Sequence, residues 1–547
     1  MADDSRGAAG RTARWLRAAP DTAVIVAWAA VVGCMAAARA SYLGDGLRHL
    51  GPILTQSRPV IGEPRWLLFP AFLFAVIKPL QVIGIVTSPR DAVHVFTALD
   101  FIAGVAYLFL IKRWLTARGA APTARAAALL LAGMTVPLLR YSTDTIEPLI
   151  PATIALAGIV YLASRPALDR DRGLLGAGAA IALATLLYQG LFLAVALIPC
   201  AAGRGARFRA RTIAIFCAIL ALAPATMFAT MVATGNSSPR AAIHRVLTGE
   251  ENSLYRRSMW HRVEGWPSWM PYVAAVSVGP ARSIVMTRQS EGIVRDLRML
   301  ASRATFADGV SGLSGIIFAM ALVATGLAMV LRRREWQMLI AIAGILVLPI
   351  LRPFGFSYLK FYVLMPAVVA VIATGAPPAA VFGAGVIVGA FNLTNLARET
   401  AGDRRLARDI APLYSGAGAA ACWLTAGWGP PIFGWPGSEC SIRQVLTQAH
   451  TERLEDMIAE NNLQLIASLR RCFCESSAVY TNDVAEDSRE QLFALAREYR
   501  FDGFELNGLI WNRERGELAF DRDGIRIYRY SGDAQSQICA SLQAAGG

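Results

Sequence analysis

The fold class this 547-residue sequence predicts is mainly α: a polytopic membrane bundle of about eleven transmembrane helices, with a small extracytoplasmic α/β domain at its C-terminus. Three observations carry that expectation. Apolar windows of about 20 residues, each long enough to cross a bilayer, recur from about residue 22 to about residue 396. Charged residues make up 17% and hydrophobic ones 55%, with a mean hydropathy of +0.44, whereas a soluble domain carries about 25% charged residues. Beyond about residue 398 hydrophobicity falls and charge rises. The net charge of +14 does not require nucleic acid. The basic residues cluster in short loops between apolar windows, as the positive-inside rule expects.

The windows follow in order. A basic N-terminal tail with Arg6, Arg11, Arg14 and Arg17 precedes a first span at about 22–39. Its "ARAS" exit also fits a signal-peptide cleavage site, so the first segment is either a retained span or a cleaved leader. The stretch "RWLLFPAFLFAVIKPLQVIGIVT" at 65–87 is apolar but interrupted by Lys78-Pro79. Further spans are expected at about 92–111, 126–140, 146–163, 174–187, 191–203, 212–233, 310–331, 336–351, 363–375 and 378–396. If 65–87 lies along the surface, the basic loops at 112–125, 165–172, 204–211 and 332–334 all fall on the cytoplasmic side; if it spans, all face out. The first choice leaves eleven spans, outer loops at about 40–91 and 234–309, and an outer C-terminus. There are three lysines, Lys78, Lys112 and Lys360, among 53 basic residues, an arginine bias of GC-rich bacterial genomes. The expected location is therefore a bacterial inner membrane.

Residues 1–397 form the membrane domain on this reading and 398–547 the soluble one. In the latter, "AACWLTAGW", "SSAVYTNDV" and "GIRIYRYS" read as strands, while 441–470 and 486–499 have helical periodicity. Five of eight cysteines lie here, Cys422, Cys440, Cys472, Cys474 and Cys539. An oxidising location allows two disulfides and one leftover thiol. The Cys472-Phe-Cys474 spacing does not fit a C-x-x-C motif, and no histidine is near. No repeat, phosphate-binding glycine loop or nucleotide fingerprint occurs.

Ionisable residues at the expected outer face carry the chemistry. Asp45 stands between Gly44 and Gly46 in "SYLGDGLRHLGP", with His49 four residues on. That pattern is also an ordinary turn. In "RYSTDTIEPLIP", Asp144 and Glu147 have the spacing of a helix capping box, and Arg140 stands beside them. Lys78 and Lys360, in apolar surroundings, either snorkel to the interface or hold a lipid phosphate together with Arg282 and Arg352. Asp100 lies within a span with His94 nearby, six residues apart and so not stacked. The loop motif "SMWHRVEGWPSWMPY" supplies aromatics, which favour the membrane interface and also stack on sugars.

A cytoplasmic N-terminus, a first span, an acid-bearing outer loop, the "EPRWLLFP" segment and the Asp–Pro pattern of "RYSTDTIEPLIP" together resemble the GT-C superfamily of membrane glycosyltransferases. Relatives there include protein O-mannosyltransferases and the transferases that add aminoarabinose to lipid A. The resemblance covers roughly residues 20–235. It implies transfer of a sugar, with inversion, from a polyprenyl phosphate to a glycan, lipid or protein acceptor on the outer face. Asp45 would be the general base. Asp144, Glu147, Arg140, His49, Lys78, Arg282, Arg352 and Lys360 would bind substrate. No nucleotide cofactor or nucleic-acid partner is implied, and a divalent cation stays open. Many relatives carry two adjacent acids in the first loop, whereas here Asp45 is followed by Gly46, Leu47 and Arg48. Two alternatives remain. An O-antigen ligase or polymerase would use Arg256, Arg257 and His261 instead. A transporter or scaffold would need no base, although the sequence has no inverted repeat.

Overall fold

The computed structural model describes residues 19–38, 50, 53, 67–87, 89–145, 148–203, 206–233, 239–240, 243, 280–281, 283–286, 306–351, 362–417, 421–424, 470–482, 516–522 and 525–544. The membrane part is helical: α1 (Pro20–Ala38), α2 (Phe69–Val82), α3 (Pro89–Ala117), α4 (Pro122–Gly133), α5 (Val136–Tyr141), α6 (Leu149–Ala163) and α7 (Arg170–Leu187). A 3-10 stretch, Gln189–Leu197, leads into α8 (Ile198–Ala202). Then come α9 (Ala210–Ala233), α10 (Phe306–Arg332), α11 (Trp336–Leu351), α12 (Met365–Ala373) and α13 (Pro378–Ala417). Among the described residues, four helices are long and apolar enough to cross a membrane: Pro20–Ala38, Asp91–Ala117, Ala210–Ala233 and Pro378–Gly402. Shorter apolar helices accompany them, so the described helices do not by themselves establish eleven spans. One apolar core runs through the bundle from Ile25 and Trp28 to Val388.

The direction of the first helices follows from their contacts. Asp21, in the first turn of α1, pairs with Lys112 near the end of α3 (3.3 Å) and with Arg125 in the first turn of α4 (2.8 Å). Farther along, the Trp28 ring stacks on Phe101, and Gly33 lies against the same ring. The helices α1 and α3 are therefore antiparallel neighbours, and the chain from 39 to 88 leaves and returns at one end of the bundle. The fourteen residues of α2, at 1.5 Å each, reach about 21 Å, short of the roughly 30 Å hydrocarbon core. Helix α2 makes no net crossing, as the gathering of the basic loops on one side requires.

Those loops gather at the other end. Arg118 donates to the Cys200 carbonyl (3.3 Å), and Cys200 Sγ reaches the Gln337 carbonyl (3.0 Å). Arg209 pairs with Asp171 (3.4 Å), and Arg333 donates to the Gly375 carbonyl. We call this the basic end and its opposite the far end. Helix α13 is longer than its expected span. Its 40 residues cover about 60 Å, so the helix continues past the apolar window through Arg404, Arg405 and Arg408.

The C-terminal part contains a four-stranded sheet in the order β1-β2-β4-β3 (Cys422–Leu424, Val479–Asn482, Ile525–Tyr530 and Glu517–Arg522). Strands β1 and β2 are parallel, with Cys422 opposite Val479. The other two pairings are antiparallel, with a bulge between Leu518 and Phe520. The three strands expected from sequence are present, and β3 joins them. The helical expectations for 441–470 and 486–499 fall outside the described residues. Helix α14 (Gly532–Ala544) is fastened to the π-helical turn Arg471–Glu475 by the Cys474–Cys539 disulfide. Gln535 donates to the carbonyls of Phe473 (2.9 Å) and Ser476 (2.7 Å). The bridge closes a 65-residue separation, worth about 4 kcal/mol by loop-closure entropy. Replacing Cys474 and Cys539 together by serine is expected to open this part of the chain. Limited proteolysis of the solubilised protein would then cut within the last 80 or so residues while α1–α8 stay intact; an unchanged digest would refute it.

Candidate functional site

The expected third span, about 126–140, is two helices in the structure, and the reason is local. Pro137 has no N–H to give the Gly133 carbonyl and fits only the first turn of a helix, so α4 ends at Gly133 and α5 restarts after an extended Thr135. The break frees carbonyls inside an apolar bundle, where each must find a donor. Thr135 Oγ1 donates to the Ala132 carbonyl (2.6 Å), Trp28 Nε1 to Gly133 (2.7 Å) and Asn392 Nδ2 to Met134 (2.6 Å). With the break satisfied this way, α5 delivers Arg140 in its last turn and hands the chain to a non-helical linker, Ser142–Thr145.

Among the described residues, this linker is the longest run of buried polar side chains in the membrane part. Ser142, Thr143, Asp144 and Thr145 are all at most 1% exposed. Thr143 Oγ1 returns to the carbonyls of Leu139 and Arg140 (both 3.1 Å), and Asp144 Oδ1 accepts from the Thr145 N–H (3.0 Å). The hydroxyls of Ser142 and Thr145 are buried and find no hydrogen-bond partner among the described residues. Ser142 is pressed against Gly104 of α3, where any Cβ would collide with its Oγ. One turn before Gly104 lies Asp100, also fully buried. Two buried carboxylates thus stand on adjoining elements, one on α3 and one in the linker. A carboxylate removed from water is costly unless bonded, and within a membrane bundle such residues mark functional sites by default.

The remaining walls come from α2 and from the turn after α7. Tyr188, buried and extended, separates α7 from the 3-10 stretch. Just before it, the Leu186 carbonyl accepts from Leu68 N–H (3.0 Å), which fixes the start of α2. Phe69 then packs on Phe96 of α3, 5.7 Å between rings and one turn before Asp100. The entry of α2 is therefore wedged between the Tyr188 turn and the Asp100 face of α3.

The residues expected from sequence divide into three groups. Arg140 stands in the last turn of α5 and Asp144 in the linker that follows it. Lys78, on α2, donates from Nζ to the Ile53 carbonyl at 3.4 Å and lies 5.9 Å from the Phe74 ring, its stem along an apolar surface. Asp45, His49, Glu147, Arg282, Arg352 and Lys360 lie outside the described residues. The capping reading of Asp144 is corrected: the N-cap of α6 is Pro148, with no side-chain cap, and Asp144 stands four residues upstream. His94 is exposed while Asp100 is buried, so the two point to different faces of α3. Ser142, Thr145 and Asn392 were missed. Polar residues within an apolar run, as in "FNLTNL" at 391–396, are the signal that could have found Asn392. Among the described residues, no three His, Cys, Asp or Glu side chains gather as a metal site.

The close approach at Gly104 has a direct consequence. Gly104→Ala is expected to push Ser142 and the linker outward, costing about 1–3 kcal/mol as overpacking does. Ser142→Gly on top of it should recover part of the loss. Thermal unfolding of the four proteins in detergent reads the coupling; purely additive effects would show that the contact is not tight.

No protein-family profile matches the sequence, and no curated protein matches it either. Among solved structures, two of ArnT from Cupriavidus metallidurans are similar to this chain, one in the apo state and one bound to undecaprenyl phosphate. Each is 13% identical and covers 94% of this chain and 98% of the ArnT chain, with TM-scores of 0.39 and 0.40. Likeness at that level fixes neither the fold nor the chemistry of this chain, which rest on its own residues.

Proposed function

We propose that this protein is a membrane glycosyltransferase that moves a sugar from a polyprenyl-phosphate donor to an envelope glycan, lipid or protein acceptor at the far end of the bundle. The observation that supports the reading is the fully buried Asp144, in a non-helical linker packed on the Asp100 face of α3 midway along that helix. Two buried carboxylates on adjoining elements suit the orientation and deprotonation of a hydroxyl.

The chemistry sets the roles. A carboxylate takes the acceptor's proton as its oxygen attacks C1 of the sugar. The bond from C1 to the phosphate oxygen breaks on the opposite face, so the anomeric centre inverts, and the lipid phosphate leaves with the electron pair. Asp45 is assigned as the base. Arg140 is assigned to the phosphate, whose growing charge needs a fixed cation, with Arg282, Arg352, Lys78 and Lys360 as further basic groups. Asp144 and Glu147 are assigned to orienting the acceptor or a divalent cation, and His49 to the substrate near Asp45. In the same proposal the N-terminus and basic loops are cytoplasmic, and residues 398–547 form the outer domain.

The test is mass spectrometry of polyprenyl phosphates and surface glycans from a deletion strain, with and without the wild-type chain. The expected result is a glycan that loses one sugar while its lipid-phosphate donor accumulates, both restored by the wild type. Unchanged glycans and lipids would refute the reading.

A further inference from the structure

Residues 280–281 and 283–286 belong to the long segment between α9 and α10, and they are buried in the bundle. Ala281, Ser283, Ile284, Val285 and Met286 are all at most 4% exposed. Polar backbone at that depth must be satisfied by its neighbours, and two asparagines of α13 do this. The side-chain oxygen of Asn392 accepts from the Met286 N–H (2.6 Å), and its Nδ2 donates to the Ile284 carbonyl (2.7 Å) and to Met134 at the helix break (2.6 Å). Asn395 Nδ2 donates to the Met286 carbonyl (2.8 Å). Met286 completes a small apolar cluster with Val136 and Leu396, against which Met35 of α1 packs.

Asn392 thus holds two irregular pieces of chain with one amide. A side-chain amide has two N–H donors and one oxygen acceptor, and both donors and the oxygen are used. Aspartate could not donate, and leucine could do neither. We propose that Asn392 is a positioning residue: it seats the 280–286 stretch on the break at Met134, so that the segment between α9 and α10 and the Arg140–Asp144 linker keep one fixed relation. The seating is a statement about structure. Its consequence for chemistry rests on the glycosyl-transfer reading above.

The test separates the two. In the full chain, solubilised in detergent, with Cys34, Cys200 and Cys217 replaced by alanine, Ser283→Cys is labelled with a polymer-linked maleimide. The parent without that cysteine gives the background. The seat protects the thiol. Asn392→Ala is expected to raise its labelling rate about ten- to a hundredfold, the scale of two or three net hydrogen bonds. Asn395→Ala, which loses one bond, should raise it less, and Asn392→Asp, which turns a carboxylate on two carbonyls, should raise it at least as much as Asn392→Ala. Thr185→Cys, buried in α7 away from the seat, should stay protected in all backgrounds. Unchanged labelling at position 283, or a parallel rise at position 185, overturns the inference. For transfer, Asn392→Ala should lower kcat while the KM for the lipid-linked donor stays within about twofold. A raised KM with kcat intact overturns the positioning role. A wild-type chain without transfer overturns the transferase reading and leaves the seat to be judged by labelling.

Discussion

Asp45→Asn is expected to abolish sugar transfer while the protein is made and inserted at wild-type level. The substitution keeps size and polarity but removes the one property a general base needs, a carboxylate able to take a proton. Losing such a base costs about 10²–10⁴ in rate, enough to erase the glycan from a complemented deletion strain. The contact of Asp21 with Lys112, with the stacking of Trp28 on Phe101, makes α1 and α3 antiparallel neighbours, so the segment that includes Asp45 begins and ends at the far end. The readout is the lipid-phosphate donor by mass spectrometry, which should accumulate in the Asp45→Asn strain as it does in the deletion. Full complementation by Asp45→Asn would remove Asp45 from the mechanism and move attention to Asp144.

Asp21→Ala should be the most destabilising single change in the membrane part. The carboxylate is 3% exposed and holds Lys112 and Arg125, whose side chains are 26% and 16% exposed. It also fastens α1, α3 and α4 at the basic end, and Lys112 reaches Thr22 as well. Removing one member of a buried ion pair strands its partners and costs about 3–5 kcal/mol. The lower part of that range applies here, because Lys112 keeps some contact with water. The melting temperature in detergent should fall clearly. Lys112→Met added to Asp21→Ala should cost less than the sum of the two single changes, since it removes a stranded charge. Added salt should matter little, because the pair is sheltered. An Asp21→Ala protein that melts like the wild type would show that the triad holds nothing together.

These two predictions draw on different sources. Asp45 draws attention in the sequence because an acid between glycines, just past an apolar window, stands out against a background with few charges. Asp21 was invisible for the opposite reason: one acid at the start of the first helix looks like a favourable first-turn residue, and its partners lie 91 and 104 residues away. The same contrast recurs. The strand Ile525–Tyr530 shows its alternation openly, whereas its partner Glu517–Arg522 is too rich in charge to read as a strand before the pairing is known. The 126–140 window reads as one span by hydropathy, although Pro137 breaks it, because hydropathy is blind to backbone donors.

By itself, then, the sequence determined the membrane character, the positions of most apolar helices, the common side of the basic loops and the stretches that carry acids. All of these follow from local composition and from the length needed to cross a bilayer. The tertiary structure decided which helices are neighbours, that α2 makes no net crossing, that Asp144 is buried in a linker and does not cap α6, and that Asn392 serves two distant breaks. Those depend on hydrogen bonds and ion pairs between residues far apart in the chain. In an apolar interior every unpaired polar group is costly, so such long-range partners, and not local preference, choose the arrangement.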